Sequence, residues 1–148
     1  MYFYRSAFVS VVILLVACES KDSQHAAQQL FPKEPCNIIH QPCVVSADDV
    51  SLQLSFSKKI QALSPFQVTL EMLAGRPDNV SGVTAAFSMN GMKMGVNRYR
   101  FLSTAPGSWS ANVILPICVT GRSDWKIDVE IETENVRQRF EVPFAMEK

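Results

Sequence analysis

The sequence predicts an all-β fold: an immunoglobulin-like antiparallel β-sandwich of about seven strands, preceded by a signal segment and a polar tether. Three observations predict it. From about Asp48 onward apolar residues recur at every second position, the period of a half-buried strand. The runs are short and separated by turns rich in Gly, Pro, Asn and Asp. No stretch of the folded part carries a helical period. Seven short strands in about 100 residues, punctuated in this way, form the pattern of a sandwich. A domain of that size buries a sufficient core without depending on disulfides. There is no internal repeat and no sign of a second domain.

At the N-terminus, Arg5 precedes a run from Ala7 to Ala17 that is apolar except for Ser10. That run has the length of a signal-peptide core and falls short of the roughly 20 apolar residues a spanning helix needs. It ends in Leu15-Val16-Ala17-Cys18, followed by an abrupt polar switch. This resembles the lipobox of bacterial lipoproteins. The resemblance covers the N-terminus alone, and it implies cleavage before Cys18, diacylglycerylation of the Cys18 thiol and acylation of the new amine. Several acyl chains, each gaining about 0.8 kcal/mol per buried methylene, make such an anchor stable. The expected location is the cell envelope, lipid-anchored and facing the periplasm. Glu19, where an aspartate would mark inner-membrane retention, leans toward the outer membrane.

The expected organisation is a signal peptide over 1–17, the lipidated cysteine and flexible tether over 18–35, and the sandwich over 36–148. Glu19 to Pro35 is polar, contains two prolines and lacks sheet alternation, as a tether would. Removing Arg5 with the leader leaves 13 of the 14 Lys and Arg residues against 14 Asp and Glu. A near-neutral chain with scattered basic residues gives no electrostatic case for nucleic acid.

With Cys18 lipidated, three of the four cysteines remain. An exported chain meets an oxidising compartment, so one disulfide and one odd thiol is the simplest arithmetic. Cys36 and Cys43, in CNIIHQPC, are the natural pair by proximity, leaving Cys118; pairing of either one with Cys118 stays open. His40 lies between them, but a structural zinc would need a fourth ligand and reduced thiols.

Strands are expected over Val50–Phe56, Phe66–Met72, Val83–Met89, Met92–Leu102, Trp109–Cys118, Trp125–Thr133 and Val136–Phe144. Trp125, Ile127, Val129 and Ile131, alternating with Lys126, Asp128 and Glu130, make the plainest of them. Turns fall at Leu63-Ser64-Pro65, Gly75-Arg76-Pro77-Asp78, Asn90-Gly91, Ala105-Pro106-Gly107, Gly121-Arg122-Ser123-Asp124 and Glu134-Asn135.

The stretch SMNGMKMG, Ser88 to Gly95, holds three of the six methionines. Asn90-Gly91 is the favoured pair for a two-residue type I′ turn, because both positions need positive φ. That turn would set Met89 directly opposite Met92, with Met94 and Phe87 on the same face. Two expectations compete. Either the thioethers are flexible core fillers, or they join Cys118 in a soft site for Cu(I), which thioether and thiolate ligands select over hard cations.

FSMNGMKMGVNRYRF and PGSWSANVILPICVTGRSDW together resemble the small periplasmic sandwich proteins of the YtkA-like and FixH-like type. That resemblance spans about Phe66 to Thr133. It implies an immunoglobulin-like domain, candidate copper ligands at Met89, Met92 and Met94, core roles for Trp109 and Trp125, and copper delivery or oxidase assembly as the setting. The chain departs from copper-carrier patterns in having no histidine near the hairpin, which counts against a Cu(II) site.

Catalysis is not expected. The folded part has one histidine, no nucleophile elbow, no P-loop and no glycine-rich dinucleotide motif. The expectation is therefore a non-enzymatic, membrane-anchored protein with Cu(I) as candidate cofactor and an envelope protein as candidate partner. The alternative is a metal-free interaction sandwich within an envelope complex. Nothing in the sequence argues for an oligomer.

Overall fold

A computed structural model describes residues 26–57, 60–89, 91–92, 95 and 97–146. The strands in chain order are β1 (Ala26–Gln29), β2 (Phe31–Pro32), β3 (Cys43–Ala47), β4 (Val50–Phe56), β5 (Phe66–Ala74) and β6 (Val80–Met89). They continue with β7 (Asn97–Arg100), β8 (Leu102–Ala105), β9 (Ser108–Val113), β10 (Asp124–Thr133) and β11 (Val136–Ala145). One sheet runs β1-β11-β10-β6-β7 and the other β2-β3-β4-β5-β9-β8. Within these, β4-β5-β9-β8 and β11-β10-β6-β7 follow the A-B-E-D and G-F-C-C′ orders of an immunoglobulin sandwich.

The core lies between the sheets and follows the period of two. Trp125, Ile127, Val129 and Ile131 of β10 are all buried, as are Val83, Ala85, Phe87 and Met89 of β6 beside them. The facing sheet contributes Cys43, Val45, Leu52, Leu54, Phe66, Val68, Leu70, Trp109 and Val113. At one end five rings meet edge to face. Phe87 stands 5.8 Å from Tyr99, 6.3 Å from Phe144 and 6.4 Å from Phe66, and Phe56 lies 5.4 Å from both Phe66 and Phe144. On the outer face of β10 and β11, Arg139–Asp128 and Lys126–Glu141 pairs cross the strands.

Four expectations need correction. The sandwich takes in residues 26–32, part of the expected tether. There, β1 pairs with β11 from Ala26↔Val136 to Gln29↔Arg139, and Leu30 is buried with its N–H bonded to the Arg139 carbonyl at 2.9 Å. The β1–β11 ladder is parallel, so the sandwich is not wholly antiparallel. The strand count rises to eleven among the described residues, because β1, β2 and β3 join at the N-terminal side and the expected Met92–Leu102 strand divides into β7 and the start of β8. The strand expected to reach Cys118 ends at Val113.

Cys36 and Cys43 form a disulfide, their Cα atoms 5.5 Å apart. Cys43 is the first residue of β3, fully buried opposite Leu54, so the crosslink fastens the Asn37–Gln41 turn to the core edge. Closing a loop of this length restricts the unfolded chain by about 2.5 kcal/mol in the chain-entropy model. A Cys36→Ala/Cys43→Ala variant is accordingly expected to melt about 10 °C lower by circular dichroism. An unchanged melting temperature would show that the staple adds nothing to stability.

Candidate sulfur site

The methionine stretch turns where the Asn-Gly pair expects it to, but the hairpin does not continue from that turn. Met92 N–H donates to the Met89 carbonyl at 3.3 Å, and Gly91 has φ 73°, the left-handed conformation that glycine adopts without strain. Yet β6 and β7 pair as Phe87↔Asn97 and Ala85↔Tyr99, three residues beyond the register a two-residue turn would set. Met89 and Met92 are therefore not a cross-strand pair.

Side-chain parity explains the shift. The two-residue register would place Arg98 opposite Val83, pointing into the core, and send Tyr99 outward. A shift by an odd number of residues reverses every side chain. In the observed register Tyr99 and Phe101 face inward, while Arg98 and Arg100 are exposed. Burying an unpaired arginine costs far more than a longer loop.

Tyr99 then organises the second half of the site. Its hydroxyl donates to the Ile114 carbonyl at 2.7 Å and accepts from the Ile114 N–H at 3.2 Å. Leu63 N–H bonds to the Leu115 carbonyl at 2.9 Å, and Leu115 is fully buried. These contacts hold the irregular segment 114–118 as it crosses from β9 toward β10. The segment ends in a turn in which Gly121 N–H donates to the Cys118 carbonyl at 3.0 Å.

That turn delivers Cys118 to the methionine loop. Its Sγ lies 3.4 Å from Met92 Sδ and 3.0 Å from Thr120 Oγ1. Cys118 is the free thiol among the described residues and is buried, while Met92 is half-buried. The Thr120 hydroxyl holds the Cys118 thiol below its usual range, with Arg122 assisting and burial working the other way. As a thiol Cys118 donates to Met92 Sδ; once deprotonated it accepts from the Thr120 hydroxyl, which favours the thiolate, the form that binds metals.

Of the expected ligand set, Met92 and Cys118 thus come together. Met89 is a core residue, 2% exposed and opposite Trp125 in the β6–β10 register. Met94 and Cys18 lie outside the described residues. Trp109 and Trp125 are buried. Sequence reasoning missed Tyr99 and Thr120. Tyr99 acts through a long-range contact with Ile114 that no local motif announces, whereas Thr120 acts on Cys118 from two residues away, a contact that depends on how the 118–121 turn is set.

The 3.4 Å contact sets a thiol beside a thioether, two donors of the soft kind that could share one ion. Two buried donors have no partner among the described residues, Trp125 Nε1 and Asn97 Nδ2. They belong to the same end of the sheet, opposite Met89 and Phe87 in register. No group of three or more His, Cys, Asp or Glu forms a metal cage among the described residues. The disulfide also removes Cys36 and Cys43 as thiolate ligands beside His40.

No family model matches the chain, and no curated protein matches it. Among solved structures, a DUF4785 family protein from Legionella pneumophila subsp. pneumophila superposes on 67% of this chain with a TM-score of 0.54 at 13% identity. The chain spans 29% of that protein's length. At this identity the likeness bears on the fold alone.

Proposed function

We propose that this is a non-enzymatic, lipid-anchored periplasmic protein that holds Cu(I) through Cys118 and Met92, with Met94 as a further candidate thioether, for copper handling or oxidase assembly. The observation that carries the reading is the 3.4 Å approach of the Cys118 and Met92 sulfurs, made by two segments 26 residues apart. A thiolate–thioether pair suits Cu(I) and serves hard cations poorly. The lipobox-like Cys18 and the resemblance to YtkA-like and FixH-like domains supply the anchor and the setting.

The test is an anaerobic Cu(I) titration of the full-length protein in detergent against a competing chelator, beside a Met89/Met92/Met94→Leu variant. Stoichiometric binding by the protein and its loss in the variant is the expected result. Equal copper uptake by both would overturn it.

The second reading is a metal-free interaction module. It is favoured by the burial of Met89 and by apolar side chains left in solvent around the same end, Leu63 at 62%, Ile117 at 60% and Val119 at 94% exposed. A folded protein that binds no Cu(I) would leave this reading in place.

A further inference from the structure

We infer that the outer edge of β7 is a docking site for an extended acidic segment of another protein, which adds to the sheet as a strand and pairs two carboxylates with Arg98 and Arg100.

The first observation concerns charge. On the outer face of the β1-β11-β10-β6-β7 sheet, Lys126 pairs with Glu141, Arg137 with Glu130 and Glu132, and Arg139 with Asp128. Arg98 and Arg100 share that face, are exposed, and have no carboxylate partner among the described residues. Their neighbours across β6 are Ala86 and Thr84, too small to cover them.

The second observation concerns backbone. Phe101 N–H donates to the Val83 carbonyl at 2.9 Å, which makes Val83 and Phe101 a hydrogen-bonded pair. Antiparallel pairs alternate, so Tyr99 bonds to β6 and the N–H and C=O groups of Arg98 and Arg100 point away from it. β7 is the last strand of its sheet. Those four groups find no backbone partner among the described residues. On β7, Arg98 and Arg100 thus lack both a carboxylate partner and a main-chain partner among the described residues.

An arriving antiparallel strand would bond to both residues, and the residues opposite them would project onto the same outer face. Acidic residues two apart would then meet both guanidinium groups. A second copy of this chain does not fit, because β7 against β7 would set arginine against arginine. Free polar main chain also favours a peptide over an anionic lipid surface, which satisfies charge but not a strand edge.

The test uses the ¹⁵N-labelled full-length protein in detergent, titrated with a synthetic octapeptide alternating threonine and glutamate, and in parallel with its threonine–lysine counterpart. The glutamate peptide should slow amide exchange and shift resonances at Arg98 and Arg100, leaving the already bonded Tyr99 amide little changed. An Arg98→Glu/Arg100→Glu variant should weaken that peptide about tenfold, as two exposed ion pairs allow, and gain affinity for the lysine peptide. Equal binding of both peptides, perturbation centred away from β7, or no protection at Arg98 and Arg100 would each overturn the inference. The arginines would then be guards against edge-to-edge aggregation. The outcome is independent of copper.

Discussion

Phe87→Ala is expected to remove about 4 kcal/mol of stability, the largest loss of any single truncation in this end of the core. Phe87 is 2% exposed and touches three other rings edge to face, at 5.8–6.4 Å. Truncation loses the transfer energy of the ring and leaves a cavity that flanking β-strands cannot collapse into. Aromatic pairing adds about 0.5–1.5 kcal/mol per contact beyond area. A midpoint about 15 °C lower in thermal unfolding is the corresponding observable. Phe31 supplies the control, since it is the same side chain at 65% exposure on a two-residue edge strand. Phe31→Ala should shift stability by no more than about 0.5 kcal/mol. If both variants melted alike, the ring cluster would not be the keystone of this end.

The contrast between these two phenylalanines marks how far the sequence could be read. β4, β5, β6, β10 and β11 were legible because their cores alternate cleanly, as Trp125, Ile127, Val129 and Ile131 do. β1 was not, because Ala26–Gln29 has no alternation and is held by a parallel ladder to residues over a hundred positions away. β3 was hidden by its own crosslink, since Cys43 reads as the end of a stapled loop although it begins a strand.

The site was half legible for a similar reason. Asn90-Gly91 correctly announced a tight turn, a local event recorded by the Met92–Met89 hydrogen bond. The register beyond it was decided non-locally, by the need to keep Arg98 and Arg100 in water and Tyr99 under the sheet. Local turn chemistry lost to parity. The sulfur convergence survived in another form, with Cys118 brought in by Tyr99 and Ile114 in place of a methionine across the hairpin.

The proposed copper site makes an asymmetric prediction for its two observed members. Cys118→Ser should cost more Cu(I) affinity than Met92→Leu, because only cysteine brings a negative charge to the ion. Losing an outer-shell partner already costs roughly 10–100-fold in metal sites, so losing the thiolate should exceed about 100-fold. Met92→Leu nearly conserves volume and should cost less than about 1.5 kcal/mol in stability, so weakened binding there reports the sulfur and not the fold. The pH dependence has a definite sign. Thr120 lowers the thiol pKa, so the thiolate persists to more acidic solution than an ordinary cysteine allows. Affinity should hold on the alkaline side and fall as pH drops through that lowered value, while Thr120→Val should move the fall toward higher pH. A thioether-only site would show no such fall, because sulfur in methionine carries no proton. Competition titrations at several pH values on the protein, Cys118→Ser, Met92→Leu and Thr120→Val separate these cases. Copper affinity independent of both pH and Cys118 would exclude the thiolate from the site.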